Sequence, residues 1–280
     1  MDKQCGILIM RDENDILEEY LTKIVNYYDK ILVLDGSDDD EGRTICSKFP
    51  EVIYYVKETE VDLSEHKQTG KKVTNSIRSI LWEKAKELID EKKWVAVLHP
   101  DEFPDSSPLE LFEKIDAEDR NVTAITINNR HFFLHTSQKE NWNFEPGQTI
   151  EDKLEWCMMP GWPEDRYFRF DKTFKWNGNN DSLCIPENAH ANIKHVQDFF
   201  HNQATYRSFE QVKKRMETRM DSGWQFVDFL MFKETNEIFY DTLKWPDYVN
   251  KKYPYEASHY CNNKEWMYPV KVKTYEANCT

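Results

Sequence analysis

The stretch Trp94-Val-Ala-Val-Leu-His-Pro-Asp-Glu-Phe103 places His99, Asp101 and Glu102 directly behind a short apolar run rich in valine. Such a run reads as a buried strand. An imidazole and two carboxylates released together at a strand end are residue types that can hold a hard cation. A solvated acidic turn halted by Pro104 is the competing reading. Two other apolar runs end in the same way, Cys5 to Met10 in Arg11-Asp-Glu-Asn-Asp15 and Ile31 to Leu34 in Asp35-Gly-Ser-Asp-Asp-Asp40. Parallel strands expose their carboxyl ends on one edge, so the three polar clusters are expected to converge on one crevice. Helix capping and acidic charge near a helix N-terminus account for Asp40 and Glu41. Asp35, immediately behind its strand, is the stronger candidate for binding.

These ends need a sheet to position them. Ile16, Leu17, Leu21, Ile24, Val25 and Tyr28 recur at helical spacing, Thr44 to Phe49 reads as a short helix and Val52 to Val56 as a third strand. Ile77, Ile80, Leu81, Leu88 and Ile89 form a second helical stripe that leads into the strand at Trp94. Strand alternating with helix predicts a mainly parallel, Rossmann-like α/β sheet flanked by helices. Val122 to Ile127 reads as a further strand, and residues 136–190 as an irregular region rich in Trp, Asn, Pro and Gly with room for short strands. A helix with Phe209, Val212, Met216 and Met220 on one face follows, then a tail from Tyr240 dense in Tyr, Trp and Pro. The expected organisation is a single domain over residues 1–280, with a ligand-binding half in residues 1–104 and a more irregular half in residues 105–280 that ends in C-terminal helices.

Bulk properties narrow the partners. The chain has 280 residues, and 51 acidic against 37 basic side chains give a formal charge of -14. That balance argues against broad electrostatic binding of nucleic acid. There is no apolar run of transmembrane length and no basic start followed by an apolar core, so a cytoplasmic protein without a transmembrane segment is expected. Lys213, Lys214, Arg215 and Arg219 could make a peripheral contact with an anionic membrane, although Glu210, Glu217 and Asp221 dilute the charge and favour a solvated helix face. The six cysteines form no C-x-x-C pair, which fits reduced thiols.

On these motifs the chain resembles family 2-type glycosyltransferases of the GT-A fold. The resemblance covers residues 5–104: a strand, the R-x-E-N-like turn Arg11 to Asn14, a second strand ending D-G-S-x-D at Asp35 to Asp39, and a D-x-D-E-F-like element reading V-A-V-L-H-P-D-E-F. It implies transfer of a sugar from a nucleoside-diphosphate donor to a glycan, glycoconjugate or other hydroxyl acceptor, metal-assisted and with inversion. Arg11 and Glu13 would then border the nucleotide, Asp35 and Ser37 would touch base or ribose, and Arg78 resembles the arginine that follows the second crossover. Asp101 matches the last Asp of D-x-D and would hold a divalent cation on the diphosphate. His99 stands where the first Asp would be, and imidazole suits Mn²⁺ better than Mg²⁺. His195, after Ile193-Lys194, resembles the late metal or diphosphate ligand of the fold.

The base that would deprotonate the acceptor is sought in Pro163-Glu-Asp-Arg-Tyr-Phe-Arg-Phe170. Asp165 is the first choice and Glu164 the second, with Asp181 or Glu187 third. The alternative for both carboxylates is an ion pair with Arg166 or Arg169. Trp142, Phe144, Trp156, Trp162 and Trp176 could stack on sugar rings, but core packing is the commoner use of tryptophan. His131, His135 and His201 flank aromatics and read as packing or polar-tip residues. Two other functions compete: a catalytically inactive nucleotide- or glycan-binding relative, suggested by His99, and a sugar nucleotidyltransferase. The latter would be expected to carry a Gly-rich phosphate loop after its first strand, and Arg11-Asp-Glu-Asn has no glycine.

Overall fold

The structure is a computed structural model that describes residues 2–61, 73–89, 93–133, 156–176, 185–206 and 268–271. Strands β1 (Gln4–Met10), β2 (Tyr28–Asp35), β3 (Val52–Lys57) and β4 (Trp94–Leu98) run parallel in the order β3-β2-β1-β4. Helices α1 (Asn14–Ile24), α2 (Glu41–Cys46) and α3 (Val73–Leu88) alternate with them along the chain. This is the parallel, helix-flanked frame expected of a GT-A-like chain.

The strands read as continuous apolar runs because both faces of the sheet are covered. Cys5, Ile7, Leu32, Leu34, Val95 and Val97 pack in one core cluster with Leu81, Trp82 and Ala85 of α3 and the adjoining Ile89. Their strand neighbours Leu8, Met10, Ile31, Val33, Trp94 and Ala96 point the other way by the two-residue period and are buried as well. The α1 stripe buries Ile16, Leu17, Tyr20, Leu21 and Ile24. Tyr28, expected on that helix, instead opens β2. The chain reverses through a turn closed by the Tyr27 N–H on the Ile24 carbonyl at 2.8 Å.

Beyond β4 lie β5 (Glu102–Pro104), α4 (Pro108–Glu118), β6 (Ala124–Phe133), β7 (Trp156–Arg169), β8 (Ile193–Tyr206) and β9 (Tyr268–Lys271). The sheet continues in the order β4-β7-β6-β8-β5, with β9 on β7. β7 meets β4 antiparallel, Trp94 opposite Arg169 and Ala96 opposite Tyr167, so the parallel part ends at β4. At 14 residues, β7 is longer than the short strands expected in this region. Pro160, Gly161 and Pro163 fall between Trp156–Met159, paired with β9, and Tyr167–Arg169, paired with β4. Missing N–H groups are tolerated outside those ladders. Helix α4 is an addition to the expected elements; it begins with proline in its first turn and buries Leu111, Phe112 and Ile115.

The chain divides into two units, Met1–Asn128 with Pro163–His201, and Asn129–Trp162 with Asn202–Thr280. The division falls later than residue 104. Among the described residues, no helix is long and apolar enough to cross a membrane. The helix expected around Phe209 to Met220, its Lys213, Lys214, Arg215 and Arg219, and also Trp142, Phe144 and Asp181, lie outside the described residues, as does the tail from Tyr240 apart from β9. The side chains of Trp156 and Trp162 are outside them too. Trp176 is buried in the core cluster, the packing role expected of it.

A candidate active site at the carboxyl ends of the parallel strands

In register, Met10 lies opposite Asp35, Leu8 opposite Leu98 and Asp35 opposite Lys57. The strands therefore stop nearly level, and the expected polar clusters do share one edge of the first unit. Asp12, just past β1, has a φ of 58°, a left-handed backbone that a non-glycine residue adopts at some cost. Its N–H donates to Ser37 Oγ at 2.8 Å, which ties the β1 loop to the β2 loop.

Asp35 is 0% exposed and has a role the sequence did not suggest. One carboxylate oxygen accepts the Ser37 N–H at 2.7 Å and the other accepts the Tyr55 hydroxyl. Lys57 Nζ stands 3.9 Å from the same Oδ2 and donates to the Asp39 carbonyl. Gly42 is required beside it, since an added Cβ would lie 2.8 Å from Asp35 Oδ2. Asp35 therefore anchors the loop from within, and a direct contact with base or ribose is not its position here. The residues missed in the sequence are Tyr55 and Lys57, whose signal was only their place at the end of β3. Ser37 is 2% exposed, Glu13 is buried at the start of α1, and Arg11 is surface-exposed in a pair with Glu58.

A second cluster gathers behind β4. Arg166 Nε and Nη2 donate to the two oxygens of Glu102, each at 2.7 Å, and the same Nη2 reaches Glu164 Oε2. Arg166 and Glu102 are both 3% exposed. Asp101 is buried, and Arg78 of α3, also buried, is close enough to bias the charge of His99 and Glu164. Arg78 thus borders the cluster.

The strand period separates the two catalytic candidates. Successive residues of a strand face opposite ways. Glu164 pairs with Arg166, whereas Asp165 accepts from Thr126 Oγ1 and lies 3.8 Å from His190 Nδ1. Asp165, the first choice from sequence, is therefore not with the arginine cluster. Glu164 is. The Glu164–Arg166 ion pair is formed, and Arg169 pairs instead with Asp116. Glu187 opens the short helical turn Glu187–Ala191.

The three expected metal ligands are likewise not assembled. Among the described residues, no group of three or more His, Cys, Asp and Glu side chains is placed to hold a metal ion. His99 and Asp101 adjoin at the end of β4, but His195 lies exposed on β8 with its Nε2 3.2 Å from Asn128 Oδ1. The reason is register: the solvent-facing side of β8 carries it.

Charge and burial set the protonation of the cluster. Burial pushes His99 down to about 4, opposed by Glu102 and reinforced by Arg166 and Arg78. Burial also lowers His201, with Glu102 opposing it. Burial disfavours ionised Glu102, but the Arg166 guanidinium prevails and holds its carboxyl well below the ordinary value. Burial raises Glu164, and Arg166 offsets part of the rise. The unfolded chain protonates its histidines near 6.5 while the folded chain keeps these two neutral, so the unfolded state takes up more protons as pH falls. Urea unfolding midpoints at pH 7, 6 and 5 are expected to decline steadily, with a shallower decline in His99→Gln. The Glu102 contribution persists through this window, because it is lost only as pH falls below the ordinary value of 4.5 toward that group's depressed folded value.

No protein-family model matches the sequence, and comparison with curated proteins gives no match. Among solved structures the chain is similar to a mycobacterial protein, at 16% identity and a TM-score of 0.32 over 46% of this chain and 41% of that one. It is similar to mannosyl-3-phosphoglycerate synthase from Rubrobacter xylanophilus at 14% identity and a TM-score of 0.32, over 51% of this chain and 43% of that one. A third similar structure is S. aureus TarS 1–349, at 10% identity and a TM-score of 0.36, over 89% of this chain and 78% of that one. The matches thus span less than half the length of the first two.

Proposed function

We propose that this chain is a glycosyltransferase that moves a sugar from a nucleoside-diphosphate donor to a hydroxyl acceptor, a glycan or glycoconjugate, with inversion. The observation that carries the reading is the convergence of the Arg11–Glu13, Asp35–Ser37 and His99–Glu102 clusters at one edge of a parallel sheet, the place where such sheets bind ligands. The D-G-S-x-D and D-x-D-like spacings in the sequence point the same way.

Glu164 is the base in this reading. Its carboxylate takes the proton of the acceptor hydroxyl as that oxygen bonds to the anomeric carbon. The bond from that carbon to the donor phosphate oxygen breaks, and the nucleoside diphosphate departs with the electron pair. A carboxylate whose pKa burial raises is better matched to this proton transfer than an ordinary one. Arg78 supplies positive charge to the same cluster. Asp35, with Tyr55 and Lys57, holds the nucleotide-side loop in shape.

A divalent cation fits His99 and Asp101 only as part of a shell that donor phosphate oxygens complete, an arrangement in which one or two protein ligands suffice. Bound there, it would supply positive charge for the leaving diphosphate, and a neutral imidazole beside the carboxylate favours Mn²⁺ over Mg²⁺. The test is a thermal-shift panel of UDP, GDP, CDP and dTDP and their glucose conjugates, with Mn²⁺ and with chelator, followed by sugar-nucleotide hydrolysis. One diphosphate should raise Tm, since specific binding stabilises the fold by mass action. Binding without any hydrolysis or transfer would favour an inactive binding relative, and no shift across the panel would overturn both readings.

A further inference from the structure

The cluster behind β4 continues inward as a line of buried polar groups that the proposed reaction does not use. Tyr167 Oη lies 2.5 Å from His201 Nε2, and His201 Nδ1 lies 3.7 Å from Glu102 Oε2. Glu102 holds Arg166 by two bonds, and Arg166 reaches Glu164. The buried Tyr28 hydroxyl is close enough to Tyr167 to act on it at the inner end. Tyr167, His201, Glu102 and Arg166 are all 3% exposed or less.

We propose that Tyr167 and His201 are positioning residues whose chain of polar contacts, through Glu102 and Arg166, fixes the orientation of the Glu164 carboxylate. This rests on the reading of Glu164 as the base. The direction of the chain follows from the tautomer. A neutral imidazole has one donor and one acceptor nitrogen. An ionised carboxylate only accepts, so the tautomer that suits Glu102 carries its proton on Nδ1, which leaves Nε2 to accept from the Tyr167 hydroxyl. At 3.7 Å that contact is electrostatic rather than a hydrogen bond, and no other described group stands within bonding distance of Nδ1.

Orientation matters here because two carboxylates share one guanidinium. Glu102 occupies Nε and Nη2 in a planar fork, and Glu164 takes what Nη2 has left. A planar fork transmits rotation, so a turned Glu102 carboxylate turns Arg166 and shifts the partner of Glu164. The inward N–H of His201 is the contact that resists this. The aromatic surroundings, with Phe112 in edge contact at 5.1 Å and Phe199 at 6.2 Å, hold the Tyr167 ring whether or not it carries a hydroxyl.

That separation makes Tyr167→Phe the informative variant, since it deletes the hydroxyl and keeps the ring. Two readouts are expected to move. The Arg166 Nε proton, followed by nitrogen-15 NMR and assigned by its loss in Arg166→Lys, should exchange with solvent about 10-fold faster than in the unaltered chain. With the sugar nucleotide hydrolysed fastest in the panel above, kcat should fall roughly 10-fold, as for other outer partners of a functional group, with donor KM nearly constant. His201→Asn keeps a donor at the Nδ1 position and should retain most of the rate, whereas His201→Gln should resemble Tyr167→Phe. Folded Tyr167→Phe and His201→Gln proteins with unchanged Arg166 exchange would overturn the chain. Faster exchange with unchanged kcat would overturn its positioning role. If no sugar nucleotide is turned over at all, the base reading fails separately, and the exchange measurement still decides whether the chain exists.

Discussion

Replacing Glu164 by glutamine is expected to lower kcat by roughly 10²–10⁴-fold, the range for losing a general base. Donor KM should stay close to its original value, because the base acts on the transition state rather than on nucleotide binding. The amide keeps a hydrogen-bond acceptor toward Arg166, so circular dichroism and the urea midpoint should change little. Asp165→Asn should do the opposite. Its partners are Thr126 and His190, and the loss should appear in stability with kcat altered by less than about 3-fold. Steady-state kinetics on both variants separate two carboxylates that sit side by side in the sequence. A large kcat loss in Asp165→Asn with none in Glu164→Gln would reverse the assignment.

Arg166→Met is expected to be the most damaging single change to the fold. It removes the partner of Glu102, a carboxylate only 3% exposed and held by two bonds of 2.7 Å. Breaking one side of a buried ion pair costs about 3–5 kcal/mol, because the remaining charge has neither water nor a partner. The companion Arg166→Met/Glu102→Leu variant should regain most of that loss, since replacing both partners by apolar groups is often near neutral. Urea unfolding of the three proteins gives the comparison, and equal stability of the single and double variants would show that Glu102 finds another partner.

Much of this arrangement was legible in the residues. The apolar runs at Cys5, Ile31 and Trp94 became β1, β2 and β4 because strands buried on both faces tolerate little else, and their polar ends fell on one edge as parallel pairing requires. Asp35 was found as a residue of consequence, but its role was not, because the partners that enclose it, Tyr55 and Lys57, come from another strand and carry no local signal. The aromatic neighbours of His201 mark it as a packing or polar-tip residue, and it does pack against Tyr167 and Phe199. Its contact with Glu102 depends on β8 lying beside β5, a long-range pairing that nothing in the intervening sequence announces. The expectation for His195 failed to assemble a ligand set for the same reason, since a motif echo does not state which side of a strand a residue occupies.

The separation of Glu164 from Asp165 makes the chemistry of this edge a matter of parity. A strand distributes its side chains as odd and even numbers, so the groups delivered to this face beside Glu102 are selected by the count of residues back to the β4 ladder at Tyr167, and only secondarily by their identity. One residue inserted between Arg166 and Tyr167, with that ladder held, would withdraw Glu164 and Arg166 and present Asp165 in their place. A mutational path that trades one carboxylate for the other therefore needs no change of amino acid at either position, and insertions and deletions in this strand are a route to new active-site chemistry that substitution scanning would never sample.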